Sequence, residues 1–145
     1  MKIWRLAILA SAILLFTACS NLVFYPTKNW QTTPKQHGYE YQNFYYAGDD
    51  GTALNAWLMP ATTADKKGLV VYFHGNSQNI GSHVAQVYWL TDQGYDVFLM
   101  DYRGFGRSQG KVDLEKSLDD IGATLRYVYQ HYPAKRTYVL AQSLG

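Results

Sequence analysis

Leu69-Val70-Val71-Tyr72-Phe73-His74-Gly75-Asn76 is the stretch on which the fold turns. Five apolar residues in a row, without polar alternation, describe a strand buried on both faces, as in a parallel sheet covered by helices. Towards the carboxyl terminus, Ile80 to Gln93 predicts a helix closed by Gly94 just past its last turn. Tyr95 to Met100 predicts a second buried strand. Asp113 is a candidate N-cap for the next helix. In that helix Leu114, Leu118, Ile121, Leu125, Val128 and Tyr132 recur at spacings of three and four, one apolar stripe that Pro133 ends. Thr137 to Ala141 predicts a third buried strand.

Towards the amino terminus, Pro60 to Gly68 is a polar loop and Thr52 to Met59 a strand. Asp49-Asp50-Gly51 is a turn signal, and aromatic-rich Tyr39 to Ala47 alternates as a strand does, so the two form a hairpin. From Asn21 to Gly38 nothing is periodic, and Pro26 and Pro34 mark an extended leader. A hairpin followed by strand–helix–strand–helix–strand requires parallel crossovers and places the chain in the α/β class. In such sheets chemistry gathers at the carboxyl ends of the parallel strands.

Those three ends carry His74-Gly75-Asn76-Ser77, then Asp101-Tyr102-Arg103-Gly104-Phe105-Gly106-Arg107-Ser108, then Ala141-Gln142-Ser143-Leu144-Gly145. The last has the form of a nucleophile elbow, a strained strand-to-helix turn that lifts a hydroxyl clear of the sheet. Small residues are needed two before and two after the serine because strand and helix pack closely there. Ala141 and Gly145 meet that need, which makes Ser143 the candidate nucleophile. Gly106-Arg107-Ser108-Gln109-Gly110 fits the G-x-S-x-G pattern better. It lies beyond its strand in a glycine-rich loop with no helix starting at Gln109, so Ser108 is expected in a surface loop at the cleft rim.

In this order and spacing the three ends resemble the α/β-hydrolase superfamily, and within it the serine aminopeptidase and monoacylglycerol-lipase-like branch. The resemblance covers roughly residues 39–145. It implies the N-terminal half of an α/β-hydrolase fold and a serine hydrolase acting on ester, thioester or amide bonds. It also implies an oxyanion hole made by the backbone N–H groups of Leu144 and Asn76, with Gly75 allowing close approach. His74 and Asp101 are expected to be structural rather than the triad base and acid; Arg103 and Arg107 are expected to brace the loop that Gly104 and Gly106 shape. The superfamily order is serine, acid, histidine. Both partners would therefore follow Gly145, and the strand from Thr137 to Ala141, central in the whole fold, would here be a bare apolar edge, so that residues 20–145 alone are expected to fold poorly and to be inactive.

The first nineteen residues read differently from the rest. Lys2 and Arg5 precede the apolar run from Leu6 to Phe16, and Thr17-Ala18-Cys19 closes it, the layout of a secretory signal. Eleven residues fall short of the ~20 that span a bilayer. Leu15 to Cys19 resembles a bacterial lipobox, which implies lipidation of Cys19 and, with Ser20 following, an outer-membrane protein facing the periplasm. Cys19 is the one cysteine, so disulfides are excluded. The expected organisation is a signal over 1–19, a leader over 20–38 and a partial hydrolase domain over 39–145.

The chain of 145 residues carries 13 basic and 11 acidic residues. Without Lys2 and Arg5 the balance is 11 to 11, with no basic cluster to bind nucleic acid. Thirteen tyrosines and four tryptophans fit a packed core better than a binding surface. No cofactor or metal is implied, since no histidine–carboxylate cluster has ligand spacing. The expected partners are a small ester, lipid or peptide substrate and, through the lipid, a membrane. The competing expectation is a non-catalytic envelope lipoprotein or truncated pseudoenzyme.

Overall fold

A computed structural model describes residues 24–145. Among these residues seven strands form: β1 (Tyr25–Pro26), β2 (Gln42–Ala47), β3 (Ala53–Met59), β4 (Gly68–Phe73), β5 (Ser77–Gln78), β6 (Tyr95–Met100) and β7 (Thr137–Ala141). The α-helices among them are α1 (Ile80–His83) and α2 (Leu114–His131). Five strands make one mixed sheet in the order β2-β3-β6-β4-β7, while β1 and β5 form a separate two-stranded pair.

The hairpin β2–β3 is antiparallel and joins β6 antiparallel; β6, β4 and β7 run parallel. The chain leaves β4 for β6 on one side and returns past it to β7 on the other. That reversal makes the carboxyl ends of β4 and β7 a topological switch point, where open α/β sheets leave a crevice. All six residues of β4 are buried. Alternation divides them between two cores. Leu69, Val71 and Phe73 face Val128, Ile121 and Leu125 of α2, and Tyr72 faces the other way, towards Trp57, Ile80, Val84 and Val87.

Three local expectations are corrected, while the bare apolar edge expected at β7 is present. The segment 80–93 is not one helix: α1 lasts four residues and gives way to 3₁₀ turns at Val84–Gln86 and Tyr88–Gln93. Val84, Val87 and Leu90 recur every three residues against the Trp57 core, a spacing that three residues per turn serves better than 3.6. Gly94 does close the segment, at φ 90°.

The stripe on α2 is also rotated. Leu114 and Leu118 are exposed, and the buried positions of the first half are Ser117 and Asp120. The helix turns this way because Asp120 pairs with Arg103 and the Thr124 hydroxyl lies 2.6 Å from that of Tyr46. Buried polar groups must find partners, and these ones fix the rotation. The N-cap is as expected: the Asp113 side chain accepts from Lys116 N at 2.9 Å.

Strand β7 is exposed along its whole length, with Tyr138, Val139 and Leu140 more than two-fifths accessible. Among the described residues it pairs only with β4, and nothing covers its outer side. Finally, residues 24–38 do not trail free as a leader. Phe24 is buried against Phe105, Trp30 packs edge-on against Trp57 at 4.8 Å, and β1 lies alongside β5. Cys19 and the expected signal lie outside the described residues. Among the described residues no helix is long and apolar enough to cross a membrane.

Candidate active site

Strand β7 ends at Ala141, and the backbone turns at once. Gln142 N donates to Phe73 O at 3.0 Å, which ties the turn to the end of β4. Ser143 follows at φ 57°, in the left-handed region. A β-carbon there costs on the order of 1–3 kcal/mol, so such a serine persists only where its neighbours hold it. Its residue is exposed.

Gly145 supplies one of those holds. A Cβ at that position would lie 2.7 Å from Phe73 Cβ and 2.8 Å from Phe73 O, so only glycine lets the chain pass so close to β4. Gly75 approaches from the other strand end, where a Cβ would sit 3.7 Å from the Cβ of Ser143. The first and third strand ends therefore meet at the serine. Leu144 packs on the α2-side core, and the carbonyl of Asn76 accepts from Tyr25 N at 2.9 Å.

Behind the turn lies a polar chain. The Tyr72 hydroxyl sits 2.8 Å from Gln142 Oε1 and 2.9 Å from Gln86 Oε1, and burial pushes its pKa up to about 12. His83 Nε2 lies 3.0 Å from Ser77 O, and its ring stacks on that of His74 at 5.2 Å. Burial holds the His83 imidazole below its ordinary pKa, and the neighbouring His74 adds to the effect.

His74 is fully buried, with Nδ1 2.7 Å from Gly75 O and its ring edge-on to Tyr102 and Phe105. Its Nε2 lies 3.3 Å from Asp101 Oδ1 without the alignment of a hydrogen bond. Asp101 Oδ1 instead accepts from Ile80 N at 2.8 Å, at the start of α1. A Cβ at Gly106 (φ 46°) would fall onto the Asp101 carboxylate, so that loop can close only on glycine.

The second strand end is a brace. Arg103 is almost wholly buried and reaches Asp120 with Nε at 2.9 Å and Nη2 at 2.6 Å. Its Nη1 lies 2.8 Å from Asp50 Oδ2, so one guanidinium joins the hairpin turn to α2. Hydrogen bonds from Arg103 and Thr52 hold the Asp50 carboxyl well below the usual carboxylate range, and Asp120 raises the Arg103 pKa. Gly104, at φ 80°, packs against Val112. Arg107 lies over the Trp30 ring at 3.7 Å.

Ser108 corrects the sequence expectation. It does not sit in a surface loop; it is 2% exposed. Its hydroxyl donates to Asp101 O at 2.5 Å and accepts from Asn55 N at 2.8 Å. Both roles are taken by backbone groups that would otherwise be orphaned. Nothing in the sequence near Ser108 signals this, because Asn55 arrives from the hairpin. A cavity of about 410 Å³ lined by Leu58, Lys66, Leu69, Asp96, Tyr132 and Lys135 opens at the amino ends of β4 and β6, opposite Ser143.

A family model described as serine aminopeptidase, S33, matches residues 64–145 and so takes in all three strand ends. The chain is 33% identical over 131 residues to YfhR of Salmonella typhimurium, covering 86% of this chain and 44% of that one. It is 33% identical over 108 residues to a monoacylglycerol lipase of Mycolicibacterium smegmatis, covering 69% and 37% respectively. The solved esterase Pf2001 of Pyrococcus furiosus superposes with a TM-score of 0.72 at 25% identity, over 83% of this chain and 49% of that one. The chain thus spans less than half the length of these relatives.

Proposed function

We propose that this chain, which belongs to the serine aminopeptidase (S33) family and has the α/β-hydrolase fold, is the nucleophile-bearing part of a serine hydrolase. One observation carries the proposal: Ser143 is exposed at φ 57° directly after a parallel strand, with Gly145 pressed on Phe73. A serine oxygen presented this way can attack a carbonyl carbon. Its proton passes to a base, and the carbonyl oxygen gathers negative charge. Backbone N–H groups of Asn76 and Leu144 are the donors that would meet that charge, each worth about 10²–10³ in rate. The leaving group departs with the proton, and water then cleaves the acyl-serine.

The base and its orienting acid are assigned to the part of the relatives that this chain does not span, following the order serine, acid, histidine. His74 is not assigned as the base, a reading supported by its buried ring, which is engaged with Gly75 O and faces Asp101. On this assignment residues 20–145 alone have no catalytic base for Ser143 and are inactive. The lipase and esterase among the similar proteins support a carboxylic ester, of lipid or small-molecule type, as substrate.

Labelling tests the assignment. A fluorophosphonate probe is expected to modify the full-length protein once, on the peptide holding Ser143, and not to modify the Ser143→Ala variant. A label on Ser108, or label retained by Ser143→Ala, would overturn it. The lipobox-like Leu15 to Cys19 further supports an outer-membrane anchor facing the periplasm. Cells fed a radiolabelled fatty acid should incorporate it into the protein, and Cys19→Ala should abolish that; incorporation unchanged in the variant would sink the anchor.

A further inference from the structure

The segment before the hairpin has more long-range polar bonds to the strand ends than a leader needs. Tyr25 N donates to Asn76 O at 2.9 Å and Thr27 N to Gln78 O at 3.0 Å, on either side of the two-residue parallel pair. Between them, Gln78 sits at φ 65°, a left-handed conformation that a residue with a β-carbon adopts only where neighbours hold it. The next residue is the knot. Asn79 is fully buried, and its amide nitrogen lies 3.0 Å from Thr27 O and 2.8 Å from both Thr27 Oγ1 and Asn29 O. Its Oδ1 accepts from Gly81 N at 2.9 Å and so caps α1.

The same segment also reaches the second strand end. Gly106 N donates to Thr27 O at 2.9 Å, and Lys28 Nζ to Ser108 O at 3.4 Å. Arg107 covers Trp30. Backbones approach closely: a Cβ at Gly81 would lie 2.8 Å from Trp30 Cβ and 2.9 Å from Thr32 O. One short stretch thus grips the loop after β4 and the loop after β6 together.

We infer that residues 24–32 are a positioning strap for the oxyanion loop, with Thr27 and Asn79 as its positioning residues. The inference rests on the assignment of Asn76 as an oxyanion donor. Residues 77–79 follow the donor immediately, and the strap holds the backbone on both sides of Ser77, at Asn76 O and Gln78 O. An oxyanion donor is effective only when it is aimed before charge appears, because reorganising it during the reaction would cost what it contributes. Loosening the strap therefore weakens binding of the transition state and leaves ground-state binding of the ester nearly unchanged.

The experiment compares Asn79→Ala, Thr27→Ala, Val128→Ala and Ser143→Ala in the full-length protein. Each is assayed for kcat and KM on p-nitrophenyl butyrate, for inhibition by a phenylboronic acid, and for its thermal midpoint. Asn79→Ala is expected to lower kcat by about 10- to 100-fold with KM close to wild type, and boronate affinity should fall in step with kcat/KM. Thr27→Ala should show the same pattern, weaker. Val128→Ala opens a cavity in the α2-side core, outside the strap, and should lower the midpoint with kcat retained.

Unchanged kcat in Asn79→Ala would overturn the inference. So would a loss of kcat in Val128→Ala that tracks its midpoint as closely as Asn79→Ala tracks its own, since the strap would then be merely structural. If Asn79→Ala does not fold, Thr27→Ala decides by the same readings. Ser143→Ala separates the two levels. Activity surviving in it would remove the site assignment itself; a dead Ser143→Ala beside an unaffected strap variant would remove the strap alone.

Discussion

Two pentapeptides of this chain set a serine between small residues, and they stand at strand ends separated in the sheet by β4. Gly106-Arg107-Ser108-Gln109-Gly110 follows β6, and Ala141-Gln142-Ser143-Leu144-Gly145 follows β7. In the first, the Ser108 hydroxyl is buried and spends both its donor and an acceptor on backbone groups of Asp101 and Asn55. In the second, the serine itself takes the left-handed conformation and is exposed. In the loop after β6 the left-handed positions are glycines, at 104, 106 and 110, which carry no side chain to present. A loop whose glycines absorb the turn buries its serine; a turn made by the serine presents it.

The sharpest break in that comparison comes from paired kinetics on the full-length protein. Ser143→Ala should lose at least about 10⁴-fold in kcat towards an activated ester. Ser108→Ala should keep a near-wild-type kcat while losing about 1–3 kcat-independent kcal/mol of stability, because Asn55 N is left buried without an acceptor. The comparison fails if the two variants exchange these outcomes.

A smaller effect sharpens the claim that the β6 end is a brace. Arg103→Ala strands the carboxylate of Asp120, which is fully buried, and should cost about 3–5 kcal/mol in urea unfolding. A loss below about 1 kcal/mol would mean that Asp50 and Asp120 are held without the guanidinium.

The smallest effect concerns pH. Burial lowers the His83 pKa, with His74 stacked beside it, so the unfolded chain takes up a proton first as pH falls below the ordinary value of 6.5. Stability should therefore fall as the solution is acidified from pH 7 through 6. His83→Gln should flatten that slope, and thermal midpoints measured across the range should converge. An unchanged slope in the variant would assign the acid sensitivity to another group.

Much of this architecture was legible in the residues. The unbroken apolar run of β4 and the Val97–Met100 run of β6 announced strands buried on both faces, the Asp49-Asp50-Gly51 turn announced the hairpin, and Asp113 announced the start of α2. The elbow was legible too, because strand, small residues and serine stand in one short stretch. The face of α2 was not. Leu114 and Leu118 satisfy the helical period as well as Val128 does, but a salt bridge from Arg103 decides which side turns inward. The break in the helix after β4 and the docking of residues 24–32 were equally hidden.

The sequence by itself determined the order of the sheet strands and of α2, the hairpin and the three strand ends, and it is the basis for proposing Ser143 rather than Ser108. Each of these follows from periodicity, turn residues or spacing within a few residues, where the chain's local geometry leaves little freedom. Tertiary structure alone decided which partners each end finds. Arg103 finds Asp50 across 53 residues and Asn79 finds Thr27 across 52, and no local pattern carries those distances. A buried polar group takes whichever partner the finished fold delivers, and the sheet order that delivers it is a property of the whole domain.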